Sequence, residues 1–170
     1  ALGQPRPTQW AGLKFFNVYG PNEYHKGAMI SVVKVKYDEV ARGERPRLFR
    51  SDRAGLADGA QMRDFIWVGD VVDVLLWLLD TPAVNGLFNL GTGVARSYRD
   101  LARAVCVAAG AAYAVEYIDM PQALRGQYQS YTQAAMGRLR DAGYAGQFTT
   151  LEDGVARYVR GYLATPTPYA

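Results

Sequence analysis

The chain has 170 residues, a length that suits about one domain with a sizeable core. Its composition, 49% hydrophobic and 21% charged, is typical of a soluble globular protein. No apolar run approaches the ~20 residues of a membrane helix, and dispersed basic residues with a net charge of only +3 argue against a nucleic-acid partner. Residues 1–7 lack a hydrophobic signal core, and the single cysteine, Cys106, favours a reducing compartment. We therefore expect a cytoplasmic protein, and one His with one Cys are too few ligands for a zinc site.

The first half of the chain alternates short apolar runs with helical spacing. A strand is predicted over residues 13–16, and its apolar character indicates a buried, central position. The next predicted elements are a helix over 29–42, a strand over 46–49, a long loop over 50–61 and a strand over 62–68. Asp70 is a good N-cap for a helix over residues 71–79, which is apolar nearly all round and should be well buried.

The second half continues this alternation. A strand over residues 86–90 is closed by Gly91-Thr92-Gly93, which lacks the full spaced-glycine fingerprint and so favours a simple strand-to-helix turn over a phosphate cradle. Ser97 and Asp100 form a capping-box pattern that opens a helix ending near Ala109, with Cys106 as a buried structural thiol. The remaining predictions are a strand over 115–120, a helix over 132–142 capped by Thr132, and a helix over 155–163 opened by a capping box of Thr149 with Glu152.

Strands that alternate with helices predict an α/β fold. The predicted strands are too few to pair on both sides of the apolar strand over 13–16, so the chain looks like part of a larger sheet. We expect an isolated piece of this kind to fold poorly, because its would-be central strand lacks neighbours.

The first candidate site follows that strand. Asn17 lies at its carboxyl end, and a loop with His25 and Lys26 comes next. Ligands of open α/β sheets bind just beyond the carboxyl ends of strands, and an amide both donates and accepts hydrogen bonds. Lys26 is therefore a candidate acid or base. The alternative is an ordinary turn with one solvated lysine, and His25 fits a loop residue better than a general base.

A second candidate is the pair Arg63-Asp64, which opens a strand of aromatics. Asp64 could orient the Arg63 guanidinium, and a fixed guanidinium fork fits a pyrophosphate. A structural ion pair is the alternative. Arg125 and Tyr128 lie in a polar loop after a strand, where they could bind a sugar hydroxyl or a phosphate. Since the chain has 12 tyrosines, the position of one tyrosine is a weak indication of a site.

Several segments together give the sequence a family resemblance. They are Phe16-Asn17-Val18-Tyr19-Gly20-Pro21, His25-Lys26-Gly27, Arg63-Asp64-Phe65-Ile66-Trp67-Val68-Gly69-Asp70 and Phe88-Asn89-Leu90-Gly91-Thr92-Gly93. With them the chain resembles the extended short-chain dehydrogenase/reductase family of nucleotide-sugar enzymes. His25-Lys26-Gly27, with Gly126-Gln127-Tyr128-Gln129 and Thr132-Gln133-Ala134, is narrower and resembles the ADP-heptose 6-epimerases of that family.

The resemblance runs over residues 12–163 but covers only the C-terminal half of such an enzyme; the glycine-rich dinucleotide loop and the Tyr-x-x-x-Lys motif do not occur here. It implies the last strands of a Rossmann-type sheet plus a smaller α/β substrate domain. Residues 12–27 and 69–96 would complete the former, and 28–68 and 97–170 would mainly form the latter. It also implies bound NADP, with most of its site upstream of residue 1. The implied partners are a nucleotide-diphosphate sugar, the missing N-terminal half and further copies in a homo-oligomeric ring, a pentamer.

The resemblance also implies residue roles. Lys26 matches a second catalytic acid/base that also meets the cofactor, Val18 a backbone contact near the nicotinamide, and Asn17 a substrate-contacting asparagine. Arg63 matches an arginine that grips the diphosphate, and Tyr128 should reach the substrate's phosphate or sugar. The residues expected along the nucleotide are Phe49, Arg50, Ser51 and Asp52.

Three departures from the family pattern concern substrate contacts. Ala28 stands where the family commonly has serine, Val35 stands where a histidine is expected, and the loop over residues 50–61 is longer than usual. These positions bear on the choice of sugar and not on the family.

The implied chemistry oxidises the C6 hydroxyl of the sugar with NADP, rotates the keto intermediate and returns the hydride to the opposite face, giving a precursor of the lipopolysaccharide inner core. Two acid/base groups on different sides of the carbon make sense of that reversal. Two alternatives stay open. A related UDP- or dTDP-sugar epimerase or dehydratase would share Asn17 and Arg63 without needing Lys26. A non-catalytic module that binds nucleotide sugars or mediates assembly would need no cofactor loop.

Overall fold

A computed structural model describes residues 7–126 and 128–169 of the chain. Its strands and α-helices, in chain order, are β1 (Ala11–Phe15), β2 (Asn17–Tyr19), α1 (Val32–Ala41), β3 (Arg47–Phe49), β4 (Met62–Trp67), α2 (Val68–Asp80), β5 (Gly86–Leu90), β6 (Ala95–Ser97), α3 (Tyr98–Ala108), β7 (Glu116–Ile118), α4 (Gly137–Asp141) and α5 (Leu151–Tyr158). Two short 3-10 helices span Tyr24–Met29 and Gln122–Leu124, and a π-helical turn over Val159–Leu163 extends α5. The predicted α/β class is confirmed.

Most strand pairs are parallel. β1 pairs with β5 from Ala11 opposite Gly86 to Phe15 opposite Leu90. β2 pairs with β4, and β3 with β7, in the same parallel sense. Parallel strands need long crossover connections, which the helices between them supply. β6 pairs antiparallel with β4. Neither β6 nor β2 was predicted from the sequence.

Two hydrophobic clusters form the core, and β4 separates them. Successive side chains of a strand point to opposite faces, so Phe65 joins one cluster and Ile66 the other. The first cluster packs α3 and α5 on β4, with Leu101, Val105, Val155 and Tyr158 fully buried. The second packs α2, β5 and α4 together, with Val74, Leu90 and Leu139 at its centre. β4 therefore carries both the core and the side chains discussed below.

Two helices begin later than predicted, because the residue before α1 forms its N-cap and the segment before α4 is extended. α1 begins after Ser31, whose hydroxyl accepts a hydrogen bond from the Lys34 N–H at 3.3 Å. α4 begins well after Thr132. The Thr132 N–H donates instead to the carbonyl of Met62 at 3.2 Å, which holds this segment extended along β4.

Asp70 is not the N-cap of a helix, since α2 already begins at residue 68. Its buried carboxylate accepts hydrogen bonds from the N–H and the hydroxyl of Thr149, at 2.8 and 2.7 Å. Because Thr149 is engaged there, Thr150 caps α5 and accepts from the Asp153 N–H at 3.1 Å. The predicted box of Thr149 with Glu152 is wrong by one residue.

The expected burial of the strand over 13–16 and of the helix over 71–79 is wrong for the residues described. Phe15 is 52% exposed, and within the described ranges β1 pairs with β5 alone. α2 buries one face, through Val71, Val74 and Leu78. Its other face is open, with Leu76 and Leu79 at 53% and 72% exposure. No helix in the described part, α2 included, has the length and apolarity to cross a membrane.

Candidate functional site

A cavity of about 300 Å³ lies between α1, β3, β7 and the segment around Tyr128. We call it the aromatic pocket. Apolar and aromatic side chains form most of its wall: Val35, Leu48, Phe49, Tyr98, Ile118 and Tyr128. Mostly apolar pockets with a few placed polar groups are the usual form of small-molecule sites. Three positions that the resemblance assigned to the nucleotide or substrate, Val35, Phe49 and Tyr128, thus line one cavity.

Arg63 lies against this pocket with its charge buried. The residue is 8% exposed, and its guanidinium carbon lies 5.0 Å from the ring centre of Tyr128 and 5.7 Å from that of Tyr98. One guanidinium nitrogen donates to the carbonyl of Met62 at 2.8 Å. Within residues 7–126 and 128–169, Arg63 forms no ion pair. A buried charge without a counterion is costly, so the site favours an anionic ligand group.

The aromatic rings hold one another in place. The rings of Phe49 and Tyr128 meet edge to face with centres 5.9 Å apart, and the Tyr98 ring lies 6.4 Å from that of Tyr128. Burial raises the pKa of the Tyr128 phenol, and the neighbouring Tyr98 raises it further. Tyr128 therefore keeps its proton at neutral pH and can donate a hydrogen bond to a ligand.

The charged residues of the pocket wall pair with one another. The Lys36 ammonium donates to both carboxylate oxygens of Glu39, at 3.1 and 3.0 Å, and Arg47 donates to the same carboxylate through its backbone N–H at 3.0 Å. The Arg47 guanidinium also forms an ion pair with Glu39, at 3.4 Å, so two cations share one carboxylate here. Burial lowers the pKa of Lys36 below its usual range, although the hydrogen bond with Glu39 opposes the shift.

Asp64 does not orient Arg63, contrary to the sequence-based hypothesis. Neighbouring residues of a strand point to opposite faces, so the fully buried Asp64 carboxylate turns away from the pocket. It accepts from the N–H and hydroxyl of Thr92, both at 2.7 Å, from the Gly93 N–H at 2.9 Å and from the Ala134 N–H at 3.0 Å.

The Gly91-Thr92-Gly93 segment is a structural turn, as predicted, because the Asp64 carboxylate takes up its amides. It leads into β6 rather than directly into a helix. Only glycine fits at Gly91, since a Cβ there would lie 2.7 Å from both the Ala134 side chain and an Asp64 oxygen.

Lys26 lies in the 3-10 helix between β2 and α1. Its ammonium is 3.9 Å from the carboxylate of Glu23, and its side chain is 40% exposed. Glu23 is itself buried and accepts hydrogen bonds from the Ser31 N–H at 2.9 Å and from the Tyr158 hydroxyl at 2.9 Å. Ser31 directly precedes Val32, which lines the pocket. Lys26 is therefore linked to the start of α1 but is not part of the pocket wall.

The other predicted residues lie around the pocket rather than in it. Asn17 is exposed and pairs in register with Phe65, two residues after Arg63. Val18 is half-buried and Ala28 is exposed. The loop residues after β3 bind other loop residues: Arg50 pairs with Asp119 at 3.0 Å, the Ser51 N–H with Asp58 at 2.8 Å, and Asp52 with the Gly126 N–H at 3.2 Å. The Arg125 side chain donates to the carbonyl of Met120 at 3.0 Å.

Gln61 and Tyr98 also line the pocket and were not predicted from the sequence. Gln61 was predictable, because it lies two residues before Arg63 at the start of β4 and the period of a strand is two. Tyr98 was not, because it reaches the pocket from the first residue of α3, which only the pairing of β6 with β4 places there.

Comparison with known proteins agrees with this fold. The sequence pattern of the NAD dependent epimerase/dehydratase family matches residues 5–91, about half of the chain. The chain belongs to this family of nicotinamide-dependent enzymes. Structural relatives are extended short-chain dehydrogenase epimerases, which confirms the predicted fold class.

Particular relatives can be named. The chain is 58% identical over 159 residues to the ADP-L-glycero-D-manno-heptose-6-epimerase of Nitratidesulfovibrio vulgaris strain Hildenborough, covering 94% of this chain and 49% of that protein. It is 44% identical to the enzyme of the same name from Fusobacterium nucleatum, covering 96% and 51%. The chain thus spans about half the length of these curated relatives.

Two solved structures are similar at the same sequence identity, 27%. The Helicobacter pylori ADP-L-glycero-D-manno-heptose-6-epimerase superposes with a TM-score of 0.69 over 90% of this chain and 44% of that one. The Thermus thermophilus UDP-glucose 4-epimerase, solved with NAD, gives a TM-score of 0.67 over 87% and 44%.

Proposed function

We propose that this chain is the substrate-binding half of an NADP-dependent epimerase that inverts C6 of ADP-glycero-manno-heptose through a transient keto intermediate. The observation that carries the proposal is Arg63, a buried guanidinium with no ion pair among the described residues, at the edge of an aromatic pocket. These two features together suit a nucleoside diphosphate, because aromatic rings can stack on a base and a guanidinium can bind a pyrophosphate. The names of the curated relatives favour the ADP-heptose. The product would enter lipopolysaccharide core synthesis in the cytoplasm.

The substrate would lie across the pocket and the surface near β2. Its nucleoside would contact Val35, Phe49 and Tyr128, with the loop residues Arg50, Ser51 and Asp52 along it. Arg63 would hold the diphosphate. Asn17, the first residue of β2, and Ala28, two residues after Lys26, would face the sugar.

A nicotinamide, when bound, supplies the acceptor and donor of a hydride. The described residues would contact only the reactive end of the cofactor, through Val18 and Lys26, which follow the ends of β1 and β2 in the chain. The turn at Gly91-Thr92-Gly93 would not bind its phosphates, because the Asp64 carboxylate already accepts hydrogen bonds from the amides of that turn. The remainder of the cofactor site would come from an N-terminal half. Lys26 would take up and return a proton at the C6 oxygen, with Glu23 fixing its position, and a group from the other half would serve the opposite face.

The open surfaces of the chain support a second half. We assign residues 12–27 and 69–96 to a Rossmann-type domain and residues 28–68 and 97–170 mainly to a substrate domain. Among the described residues, β1 pairs only with β5, and the outer face of α2 exposes Leu76 and Leu79. Further strands and helices would cover both surfaces. Assembly into a homo-oligomeric ring is part of the same proposal.

A second candidate is an epimerase for another nucleotide sugar. The Thermus UDP-glucose 4-epimerase is as similar in sequence as the Helicobacter ADP-heptose enzyme. Ala28 and Val35 stand where the ADP-heptose resemblance expects serine and histidine, and this difference also leaves room for another sugar.

The test uses the full-length protein that carries this chain, assayed for interconversion of the C6 epimers of ADP-heptose with NADP and with NAD. Lys26→Met should lower turnover by about 10²–10⁴-fold, the usual worth of an acid/base group, with ADP affinity within about twofold. Arg63→Met should weaken ADP binding by about 10- to 100-fold, since a hydrogen bond to a charged group contributes about 1.5–3 kcal/mol. Lys34→Met is the control: this lysine pairs with Asp38 on α1, outside the pocket wall.

Unchanged turnover in Lys26→Met would remove its acid/base role. Turnover of UDP- or dTDP-sugars in preference to ADP-heptose would favour the second candidate. Nucleotide-sugar binding without turnover under either cofactor would leave a non-catalytic binding module.

A further inference from the structure

The wall of the aromatic pocket includes a buried polar atom that lacks a hydrogen-bond partner among the described residues. Gln61 is 3% exposed and lines the pocket, and its backbone carbonyl accepts the Tyr98 N–H at 3.1 Å. The unpartnered atom is its side-chain nitrogen, Nε2. Burying an unpaired donor is costly, and such groups in native proteins usually have a partner. A ligand group in the pocket would supply the missing acceptor.

The direction of the Gln61 side chain links it to Arg63. Residues two apart along an extended strand share a face, and Gln61 directly precedes β4, in which Arg63 is the second residue. Both residues also contact Tyr98, Gln61 through the backbone and Arg63 over the ring. A ligand that occupies the pocket at Gln61 can therefore extend past the Tyr98 ring to the Arg63 guanidinium, which lies next to the lining residues of the cavity and not among them.

We propose that the Gln61 amide donates a hydrogen bond to a ring nitrogen of a purine base bound in the aromatic pocket, and so contributes to the choice of nucleotide. The inference rests on the proposed function, in which the pocket takes a nucleoside diphosphate. The wall is mostly apolar and aromatic, and its charged members Lys36, Glu39 and Arg47 already pair with one another. A nucleobase matches this environment, because it has a flat π face and in-plane acceptors, whereas ribose hydroxyls need several polar partners.

The experiment measures ADP binding to the full-length protein by calorimetry. Gln61→Leu should weaken binding about fivefold, the equivalent of one neutral hydrogen bond. The same loss should occur when wild-type protein meets one of the three analogues 1-deaza-, 3-deaza- or 7-deaza-ADP, each of which lacks one ring nitrogen. For that analogue, Gln61→Leu should cause no further loss. The variant should be at least as heat-stable as the wild type, since it removes an unpaired buried donor.

Thr132→Val is the matched control. The Thr132 hydroxyl is likewise buried without a partner among the described residues, but it does not line the pocket. This variant should leave the affinity for ADP within about twofold of the wild type, so that removal of a buried polar group by itself is not the cause of weaker binding.

The outcomes separate this inference from the function on which it rests. If wild-type protein does not bind ADP, both fail. If ADP binds and Arg63→Met abolishes binding while Gln61→Leu has no effect, the function stands and the Gln61 role is overturned. Equal losses for all three deaza analogues, or a loss of heat stability in Gln61→Leu that accompanies its weaker binding, would also overturn it.

Discussion

Replacing Asp64 by alanine tests whether its carboxylate is structural. Its oxygens accept four hydrogen bonds, three of them from the backbone N–H groups of Thr92, Gly93 and Ala134. In Asp64→Ala these three donors lose their acceptor. Thr92 and Gly93 are only half-buried, so we take the low end of the usual cost, about 1 kcal/mol for each unpaired amide. The free energy of unfolding should fall by about 3 kcal/mol.

Urea denaturation followed by circular dichroism measures this loss. With a slope of about 2 kcal/mol per molar urea, a loss of about 3 kcal/mol lowers the midpoint by about 1.5 M. Asp64→Asn keeps one carbonyl oxygen, so it can still accept from the amides on one side and should lose about half as much. The control is Asp73→Ala on the exposed face of α2, which should change stability by less than about 0.5 kcal/mol.

The result that would refute this reasoning is a loss below about 1 kcal/mol in Asp64→Ala. It would mean that water replaces the carboxylate at the turn. A large loss of ADP affinity in Asp64→Asn at unchanged stability would instead restore the hypothesis that Asp64 orients Arg63.

Three further predictions concern caps, charges and the thiol. Thr150→Ala should destabilise the protein by about 1 kcal/mol through loss of the α5 cap, whereas Thr150→Ser should retain it; equal losses would refute the cap. The hydrogen bond from Arg96 lowers the pKa of Glu152. The stability that the ionised Glu152 contributes is therefore present above its unfolded pKa of about 4.3 and is lost as pH falls through its folded pKa. Arg96→Ala should raise the pKa of Glu152 in a carboxyl NMR titration. Because the pair is partly exposed, the variant should lower the free energy of unfolding by about 0.5 kcal/mol at pH 7 and leave it unchanged in acid. Arg99→Ala is the control, and an unchanged pKa of Glu152 in Arg96→Ala would contradict the pair. Cys106 is fully buried, and burial raises the pKa of its thiol, so a thiol reagent should label it only in denaturant; rapid labelling of native protein would exclude this packing.

Much of the fold followed from local patterns. The Ser97 and Asp100 side chains form the reciprocal capping box that their spacing predicts, with Ser97 Oγ accepting the Asp100 N–H at 3.1 Å. Gly86–Leu90 is a strand with the predicted bounds. These features depend on residues close in sequence, so spacing and side-chain chemistry are sufficient to find them.

Long-range partners account for the errors. Asp70 has the chemistry of an N-cap, but its carboxylate instead accepts a hydrogen bond from the N–H of Thr149, 79 residues away. Asp64 stands beside Arg63 in sequence, but the alternation of β4 sends it to the opposite face, against the turn at Thr92. A carboxylate binds whichever donors the fold brings to it, and sequence spacing does not reveal donors that lie on other elements.

The sequence by itself determined the α/β class, the family resemblance and several members of the candidate site, including Val35, Phe49, Arg63 and Tyr128. Tertiary structure alone decided that Val35, Phe49 and Tyr128 line one aromatic pocket. It also decided that the Arg63 guanidinium lies buried against the Tyr128 ring without an ion pair among the described residues. It also left Nε2 of Gln61 without a hydrogen-bond partner in the part of the chain that the structure describes. The physical reason is that local propensity acts over a few residues, whereas burial and pairing depend on which strands and helices come together.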